Sequence, residues 1–167
     1  GVNRGFFSSA IMAYLDWNRL DRRFYLVDTF GGIHEGILSD EEKAAGYIEK
    51  NQVALARGEY VNGVEGVKKN FEEWPQALVI QGFVPEALRK IPMTPVAFVH
   101  LDMNNVTPEK AAAEHFWPLM IKGGIMLLDD YAFVGYGLSK KGMDDFAHSV
   151  GAEILSIPTG QGILIKN

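Results

Sequence analysis

The chain has 167 residues, of which 47% are hydrophobic and 22% are charged, a composition typical of one globular domain large enough to bury a core. Its net charge of −5 and its scattered lysines and arginines argue against a nucleic-acid partner, and no apolar run is long enough to cross a membrane. The lack of cysteine excludes disulfides and thiolate metal sites and favours a cytoplasmic location.

Apolar residues recur with two different periods along the chain. Spacings of three and four predict amphipathic helices, whereas short unbroken apolar runs predict buried strands. The predicted elements, in chain order, are a helix at 6–18, a strand at 23–28, a helix around 64–74, strands at 77–82 and 96–103, a helix from Thr107 to about residue 121, a strand at 125–130, a helix around 143–150, and paired strands at 152–158 and 161–166. This alternation predicts a single α/β domain over residues 1–167, with a doubly wound, mostly parallel sheet, helices on both faces and a C-terminal antiparallel hairpin.

The connection after the first predicted strand is unusually long. It spans about residues 31–60, where a few residues would suffice to reach the next element. The segment Ser39-Asp40-Glu41-Glu42 has the pattern of a capping box and predicts a short helix inside this insert. We expect the insert to act as a lid over a binding pocket.

A glycine turn precedes the first predicted helix. Gly1 permits a tight turn, and Gly5 permits a ligand to approach the backbone where free helix N–H groups attract anionic or polar groups. Asp28 follows at about the spacing at which dinucleotide-type folds place an acid on a ribose diol. Phe83, after Gly82 at the end of a strand, is placed to stack on a purine. The alternative is a glycine-containing loop beside a solvated aspartate.

Aspartates at strand ends form a second candidate site. The predicted strand 96–103 carries Asp102 near its end and the pair Asp129-Asp130 ends another strand, so the three carboxylates are expected at one edge of the sheet, where they need a cation or raised pKa values. Oxygen-only donors suit Mg²⁺ or Ca²⁺. The alternative is that these aspartates only cap the loops and helices that follow. His34, at the start of the insert, is a candidate catalytic or substrate-binding residue.

Six segments carry a resemblance to a known family: "GVNRGFFSS", "LVDTFGGI", "IQGFVPEALRKIP", "VAFVHLDMNNVTPE", "IKGGIMLLDDY" and "IPTGQGILIK". Over nearly its whole length the chain resembles class I S-adenosylmethionine-dependent methyltransferases, which have a Rossmann-like fold. More narrowly, it is similar to the macrocin O-methyltransferase (TylF) family, which acts on sugar hydroxyls of antibiotics and related glycosides. The resemblance implies transfer of a methyl group from S-adenosylmethionine to a hydroxylated small molecule.

The resemblance also implies roles for individual residues. Gly1, Gly5 and Ser8 line the methionine and ribose part of the cofactor, Asp28 holds the ribose hydroxyls, Gly82 and Phe83 lie by the adenine, and Asp102, Asp129 and Asp130 bind Mg²⁺. Asp102 would also accept the proton that leaves the hydroxyl. The partner is thus a small hydroxylated acceptor, without nucleic acid or membrane, and a homo-oligomer is left open.

Two departures from the family pattern bear on function. Asn104 stands where the family has a second acid after the His-Leu-Asp strand, and Gly31 replaces another acid. The family also has a central strand and an acid before the position of Gly1, so we expect an N-terminally truncated chain in which something else, such as a partner chain, fills that gap or the sheet closes up. A degenerate, non-catalytic cofactor-binding domain is therefore one alternative. A metal-dependent catechol O-methyltransferase is another, and a nicotinamide-dependent oxidoreductase is disfavoured by the terminal hairpin and the aspartates.

Overall fold

The computed structural model describes all residues 1–167, which form six helices and six strands joined by turns and short 3-10 segments. The helices are α1 Phe6–Tyr14, α2 Asp40–Ala44, α3 Tyr47–Ala56, α4 Glu65–Asn70, α5 Val106–Phe116 and α6 Gly137–Ser149. The strands are β1 Phe24–Asp28, β2 Ala77–Gln81, β3 Val96–Leu101, β4 Met120–Leu128, β5 Leu155–Ser156 and β6 Gly162–Ile165. None of the helices combines the length and the apolar character that crossing a bilayer requires.

The chain divides into two compact units, one made of residues 1–34 and 46–91 and the other of residues 35–45 and 92–167. In the first unit, β1 and β2 form a parallel pair. In the second unit, the strand order is β3-β4-β6-β5, with β3 parallel to β4 and β6 antiparallel to both of its neighbours. The predicted α/β fold class and its antiparallel C-terminal strands are confirmed. β1 and β3, which the resemblance places on either side of a further strand, each pair with one strand only.

The core of the first unit joins α1, α4 and the small sheet. Its buried side chains are Met12, Leu26, Phe30, Val67, Phe71 and Trp74. Gly5 lies directly against the ring of Phe71 with a φ of +86°, and a Cβ at this position would overlap that ring. The glycine therefore both permits the left-handed turn before α1 and lets α1 approach the residue that ends α4.

The core of the second unit lies between the larger sheet and the helices α5 and α6. Met126, Leu128 and Leu164 are buried on the sheet, and Met143 and Phe146 are buried on α6. α5 contacts both β3 and α6. At the contact between the two helices, a Cβ on Gly142 would overlap the side chain of Val106.

Several predicted boundaries differ from the structure. The first helix ends at Tyr14 because Asp16 adopts a left-handed conformation, which a short polar side chain tolerates. β4 begins at Met120, so the Gly123-Gly124 pair lies inside the strand, where the register of β3 against β4 shifts. α5 begins two residues earlier than predicted, with Asn105 and not Thr107 as its N-cap residue.

Candidate functional site

In the first unit, the predicted cofactor residues gather at the carboxyl ends of β1 and β2. The N–H of Gly82 donates to the carbonyl oxygen of Asp28 at 2.9 Å, so the two strand ends remain paired where the glycine turn meets them. Gly5 is buried as the N-cap residue of α1, and Ser8 is half-buried in its first turn. The structure thus brings Asp28 into contact with the glycine turn and with the start of the Gly82-Phe83 segment.

The carboxylate of Asp28 is bonded to the backbone around it. Its Oδ2 accepts N–H bonds from Val2 at 2.6 Å and Asn3 at 2.9 Å, and its Oδ1 accepts one from Phe30 at 2.6 Å. Burial raises the pKa of Asp28, but these N–H bonds act against it, and the pKa lies below its usual value. Asp28 is therefore ionised at neutral pH, and it shapes the glycine turn.

His34 and Phe83 form a stacked aromatic pair. Their ring centroids are 4.2 Å apart and their planes differ by 20°. The pair comes from the end of the segment after β1 and from the turn after β2. One face of Phe83, the ring predicted to stack on a purine, is therefore covered by an imidazole in this structure. This contact was not predicted from the sequence.

In the second unit, the three predicted aspartates follow paired strand ends. Leu101 of β3 is the register partner of Leu128 of β4, and the N–H of Asp129 donates to the carbonyl oxygen of Leu101 at 2.9 Å. Because the strands are parallel, Asp102 and Asp129 leave the same edge of the sheet. We call Asp102, Asp129 and Asp130 the acidic rim.

Asp129 faces partners within its own sheet. Its Oδ1 accepts a hydrogen bond from Gln161 Nε2 at 2.7 Å and lies 3.6 Å from His100 Nε2. His100 and Gln161 hold the pKa of Asp129 below its usual value against the opposing effect of burial. Gln161 comes from the segment between β5 and β6, so the terminal hairpin helps to orient this aspartate.

Asp130 and Glu109 are acids whose charge is poorly compensated. Burial, with the charges of Asp102 and Asp129, raises the pKa of Asp130 to about 7, and its Oδ2 is buried without a hydrogen-bond partner. Glu109 on α5 is only 4% exposed, and burial together with Asp130 raises its pKa to about 8. Glu109 was not among the site residues predicted from the sequence. The apolar residues Ala112 and Ala113, three and four positions later, indicated that Glu109 lies on the inner face of the helix, and both are buried.

Asn104 takes part in a short chain of hydrogen bonds to the acidic rim. The Tyr136 hydroxyl donates to Asn104 Oδ1 at 2.9 Å, and Asn104 Nδ2 faces Asp102 Oδ1 at 3.3 Å. The backbone of Asn104 is left-handed, with a φ of +60°. The amide therefore gives Asp102 a hydrogen-bond donor where the resemblance described above implies a second acid.

Tyr131 anchors the turn that follows the acidic rim. Its hydroxyl donates to Asp144 Oδ1 at 2.5 Å and accepts a bond from Lys140 Nζ at 3.0 Å. Its ring packs on Gly162, where a Cβ would come within 2.7 Å of the ring. These contacts fix the Asp-Asp-Tyr turn to α6 and to β6.

The predicted magnesium site is not assembled in this structure. No group of three or more His, Asp and Glu side chains is arranged to hold a metal ion. Asp129 is turned to His100 and Gln161. The donor chemistry nevertheless suits a hard cation, because the partnerless oxygen of Asp130 belongs to a carboxyl group whose pKa is raised by burial and by the charges of Asp102 and Asp129.

The comparisons with known proteins find methyltransferases. The profile of a family described as a methyltransferase domain matches residues 1–131. The O-methyltransferase NovP superposes with a TM-score of 0.77 and 19% identity, covering 100% of this chain and 69% of NovP. The apo structure of CalS11, described as a TDP-rhamnose 3'-O-methyltransferase of calicheamicin biosynthesis, gives a TM-score of 0.61 and 20% identity, covering 99% of this chain and 68% of CalS11. A putative rRNA methylase from Clostridium thermocellum gives 0.59 and 13%, covering 100% and 86%. No curated protein sequence matches the chain.

Proposed function

Because the chain belongs to the methyltransferase domain family, we propose that it transfers a methyl group from S-adenosylmethionine to a hydroxyl group of a small molecule. The proposed acceptor is a sugar or a glycosylated natural product, as the resemblance to the TylF family implies. The fold shared with NovP and with a TDP-rhamnose methyltransferase supports this acceptor class.

The observation that carries the proposal is the acidic rim with Glu109 behind it. A sugar hydroxyl must lose its proton as its oxygen attacks the sulfonium methyl group, and the electrons of the broken S–CH₃ bond return to sulfur. A carboxylate next to the hydroxyl accepts that proton. Asp102 is the proposed acceptor, because it directly follows β3 at the edge of the sheet and Asn104 Nδ2 faces its carboxylate at 3.3 Å.

The first unit supplies the proposed cofactor site. Asp28 is ionised and lies beside the glycine turn, where its carboxylate would orient the ribose hydroxyls. Phe83 would stack on the adenine, either on the face that His34 leaves open or in place of His34. In this assignment His34 belongs to the adenine end of the cofactor, and its predicted catalytic role stays a prediction.

Magnesium is the finer part of the proposal. Asp102 and Asp130 are the side chains that would hold it, with Asp129 joining only if it releases Gln161. A bound divalent ion would lower the pKa of the acceptor hydroxyl. Asp102 would orient the acceptor and take its proton, and the insert at residues 31–60 would exclude water from the cofactor.

One observation favours a second candidate function, a cofactor-binding domain that does not catalyse. Asn104 gives Asp102 a hydrogen-bond donor where the family pattern has an acid, which weakens any cation site. A catechol acceptor, the other alternative, would use the same acidic rim.

Methyl transfer from labelled S-adenosylmethionine to panels of glycosides, nucleotide sugars and catechols tests these candidates, with Mg²⁺ or with EDTA. Transfer to a sugar hydroxyl is the expected result. Calorimetry with S-adenosylhomocysteine reports cofactor binding separately, and calorimetry with Mg²⁺ alone reports the metal. Binding of S-adenosylhomocysteine without transfer to any acceptor favours the non-catalytic domain, and no binding overturns the proposal.

Asp102→Asn is the diagnostic variant. Loss of the proton acceptor is expected to lower the transfer rate by about 10²- to 10⁴-fold and to leave the affinity for S-adenosylhomocysteine unchanged. Asp145→Asn is the matched control, because Asp145 is an exposed aspartate on α6. Equal activity of the two variants would exclude Asp102 as the proton acceptor.

A further inference from the structure

Glu42 is a fully buried acid in the insert, with 0% of its surface exposed. Its Oε2 accepts bonds from the N–H of Ser39 at 2.9 Å and from the Thr107 hydroxyl at 2.6 Å, and its Oε1 accepts one from the N–H of Thr107 at 3.3 Å. The bond to Ser39 closes the capping box of α2. The bonds to Thr107 reach 65 residues along the chain, to the first turn of α5.

The first turn of α5 needs such a partner. Asn105 has the extended backbone of an N-cap residue, but its side chain makes no capping bond and its Nδ2 is buried without a partner. Thr107 is the second residue of the helix, and its N–H is one of those that an N-cap side chain normally satisfies. Glu42 therefore supplies to α5 the cap that its own sequence does not supply.

The charge of Glu42 suits this position. Burial raises its pKa, but the bonds from Thr107 and Ser39 outweigh burial and hold the pKa below the usual value, so the group is ionised at neutral pH. A carboxylate at a helix N-terminus is favoured by the helix dipole, and its hydrogen bonds are charge-assisted.

The turn between β3 and α5 carries Asp102 and Asn104 and is held on both sides. The N–H of Met103 donates to Glu109 Oε1 at 3.2 Å, within the turn. Glu42 holds Thr107, directly after the turn. Neither glutamate belongs to the acidic rim, and only Glu42 comes from a segment distant in sequence. The turn that carries Asp102 thus lies between a contact to Glu109 and a contact to a residue of the insert.

We propose that Glu42 is a positioning residue for the acidic rim, which caps α5 through Thr107 and thereby holds the turn of Asp102 and Asn104 in place. The structural part of this inference is independent of the reaction, and its consequence for catalysis rests on the proposed function. The insert would then have a second task besides covering the cofactor, since its helix α2 would set the geometry of the proton acceptor.

Amide hydrogen exchange of the full chain tests the structural part. In Glu42→Gln, which keeps the size of the side chain, the amides of residues 103–107 should exchange about 5- to 30-fold faster, the effect of losing a helix cap. Thr107→Val should show a smaller change at the same amides, and Thr107→Ser, which keeps the hydroxyl, should match the wild type. Glu41→Gln is the matched control, because Glu41 is an exposed glutamate of the same helix.

Faster exchange at residues 39–43 alone, with residues 103–107 unchanged, would overturn the inference and leave Glu42 as a local cap of α2. If Glu42→Gln does not fold, the comparison of Thr107→Val with Thr107→Ser decides in the same way. Equal exchange in these two variants overturns it.

Kinetics with an acceptor found in the methyl-transfer panel tests the catalytic part. Glu42→Gln should lower kcat about 5- to 30-fold and leave the KM for S-adenosylmethionine unchanged, because Glu42 bonds to Ser39 and Thr107 and not to the proposed cofactor residues. Combining Glu42→Gln with Thr107→Val should add little to the single change. A raised KM for S-adenosylmethionine with an unchanged kcat would contradict a positioning role. If the wild type transfers no methyl group, the proposed function fails, whereas the exchange experiment still decides the role of Glu42.

Discussion

Glu109 is a buried acid near two other carboxyl groups, and its protonation gives the folded state a pH dependence. Below about pH 4.5 the group is protonated in both the folded and the unfolded chain. Between about 4.5 and about 8, only the unfolded chain releases the proton, so the free energy of unfolding falls as pH rises. The contribution is present at low pH and is lost completely above about pH 8.

Glu109→Gln is expected to remove this dependence. The stability of the variant relative to the wild type should grow by about 1.4 kcal/mol for each pH unit between pH 5 and 8 and then level off. Urea denaturation at several pH values, in EDTA, measures it. Glu114→Gln, at an exposed position of α5, should keep the wild-type slope. Parallel pH profiles for the wild type and Glu109→Gln would show that Glu109 ionises normally.

For individual residues, the sequence predicted where the aspartates of the acidic rim lie but not which side chains surround them. Asp102 and Asp129 follow strands whose pattern was clear, so their common edge followed from parallel pairing. The burial of Glu109 and the orientation of the Asn104 amide depend on contacts with Met103 and Tyr136. Such contacts come from tertiary packing, which a single sequence does not show.

The packing of α5 on α6 depends on a glycine. A methyl group on Gly142 would overlap Val106, whose branched side chain has little rotational freedom. In an exposed helix, alanine would be favoured over glycine by about 1 kcal/mol. Here the overlap acts against that preference.

Gly142→Ala is expected to destabilise the second unit by about 1–3 kcal/mol, because the two helices must move apart. The double variant Gly142→Ala with Val106→Ala should recover most of the loss. Gly137→Ala is the control, since no atom lies within 4 Å of its added methyl group. Thermal or urea unfolding measures all three. A Gly142→Ala protein as stable as Gly137→Ala would show that the helices adjust without cost.

The helices and strands were mostly predicted, and the errors at their ends have local causes. The capping box at Ser39 is confirmed because both of its members lie within four residues. The N-cap of α5 was placed at Thr107 because Thr-Pro is a strong local signal, whereas the observed N-cap residue is Asn105 and Thr107 donates to the distant Glu42. A capping residue 65 positions away cannot be recognised from the sequence next to the helix.

The two units form separate sheets, and each has its own buried core. Trp17 and Trp74 belong to the first unit and Trp117 to the second. A chain whose parts have separate cores often departs from a single two-state unfolding transition. The alternation of strands and helices predicted the α/β class, but local pattern does not reveal which strands share a sheet, and the division into two sheets was therefore not predicted.

We expect urea unfolding to show two midpoints. Trp117→Phe leaves fluorescence from the first unit, and the double change Trp17→Phe with Trp74→Phe leaves fluorescence from the second. Adding Gly142→Ala should lower the midpoint reported by Trp117 and leave the other unchanged. Coincident transitions with every reporter, shifting together in Gly142→Ala, would show that the chain unfolds as one body.

The bond between Glu42 and Thr107 has a consequence for protein engineering. An insert of this length is an obvious candidate for shortening when a more compact enzyme is wanted. The sequence around the insert does not show that Glu42 bonds to α5. Removing residues 35–45 would nevertheless remove Glu42, the side chain that accepts both hydrogen bonds from Thr107 in the first turn of α5. During synthesis on the ribosome, Glu42 is made before α5, so the capping carboxylate is already present when the helix forms. A circular permutant opened between Glu42 and Thr107 would reverse that order.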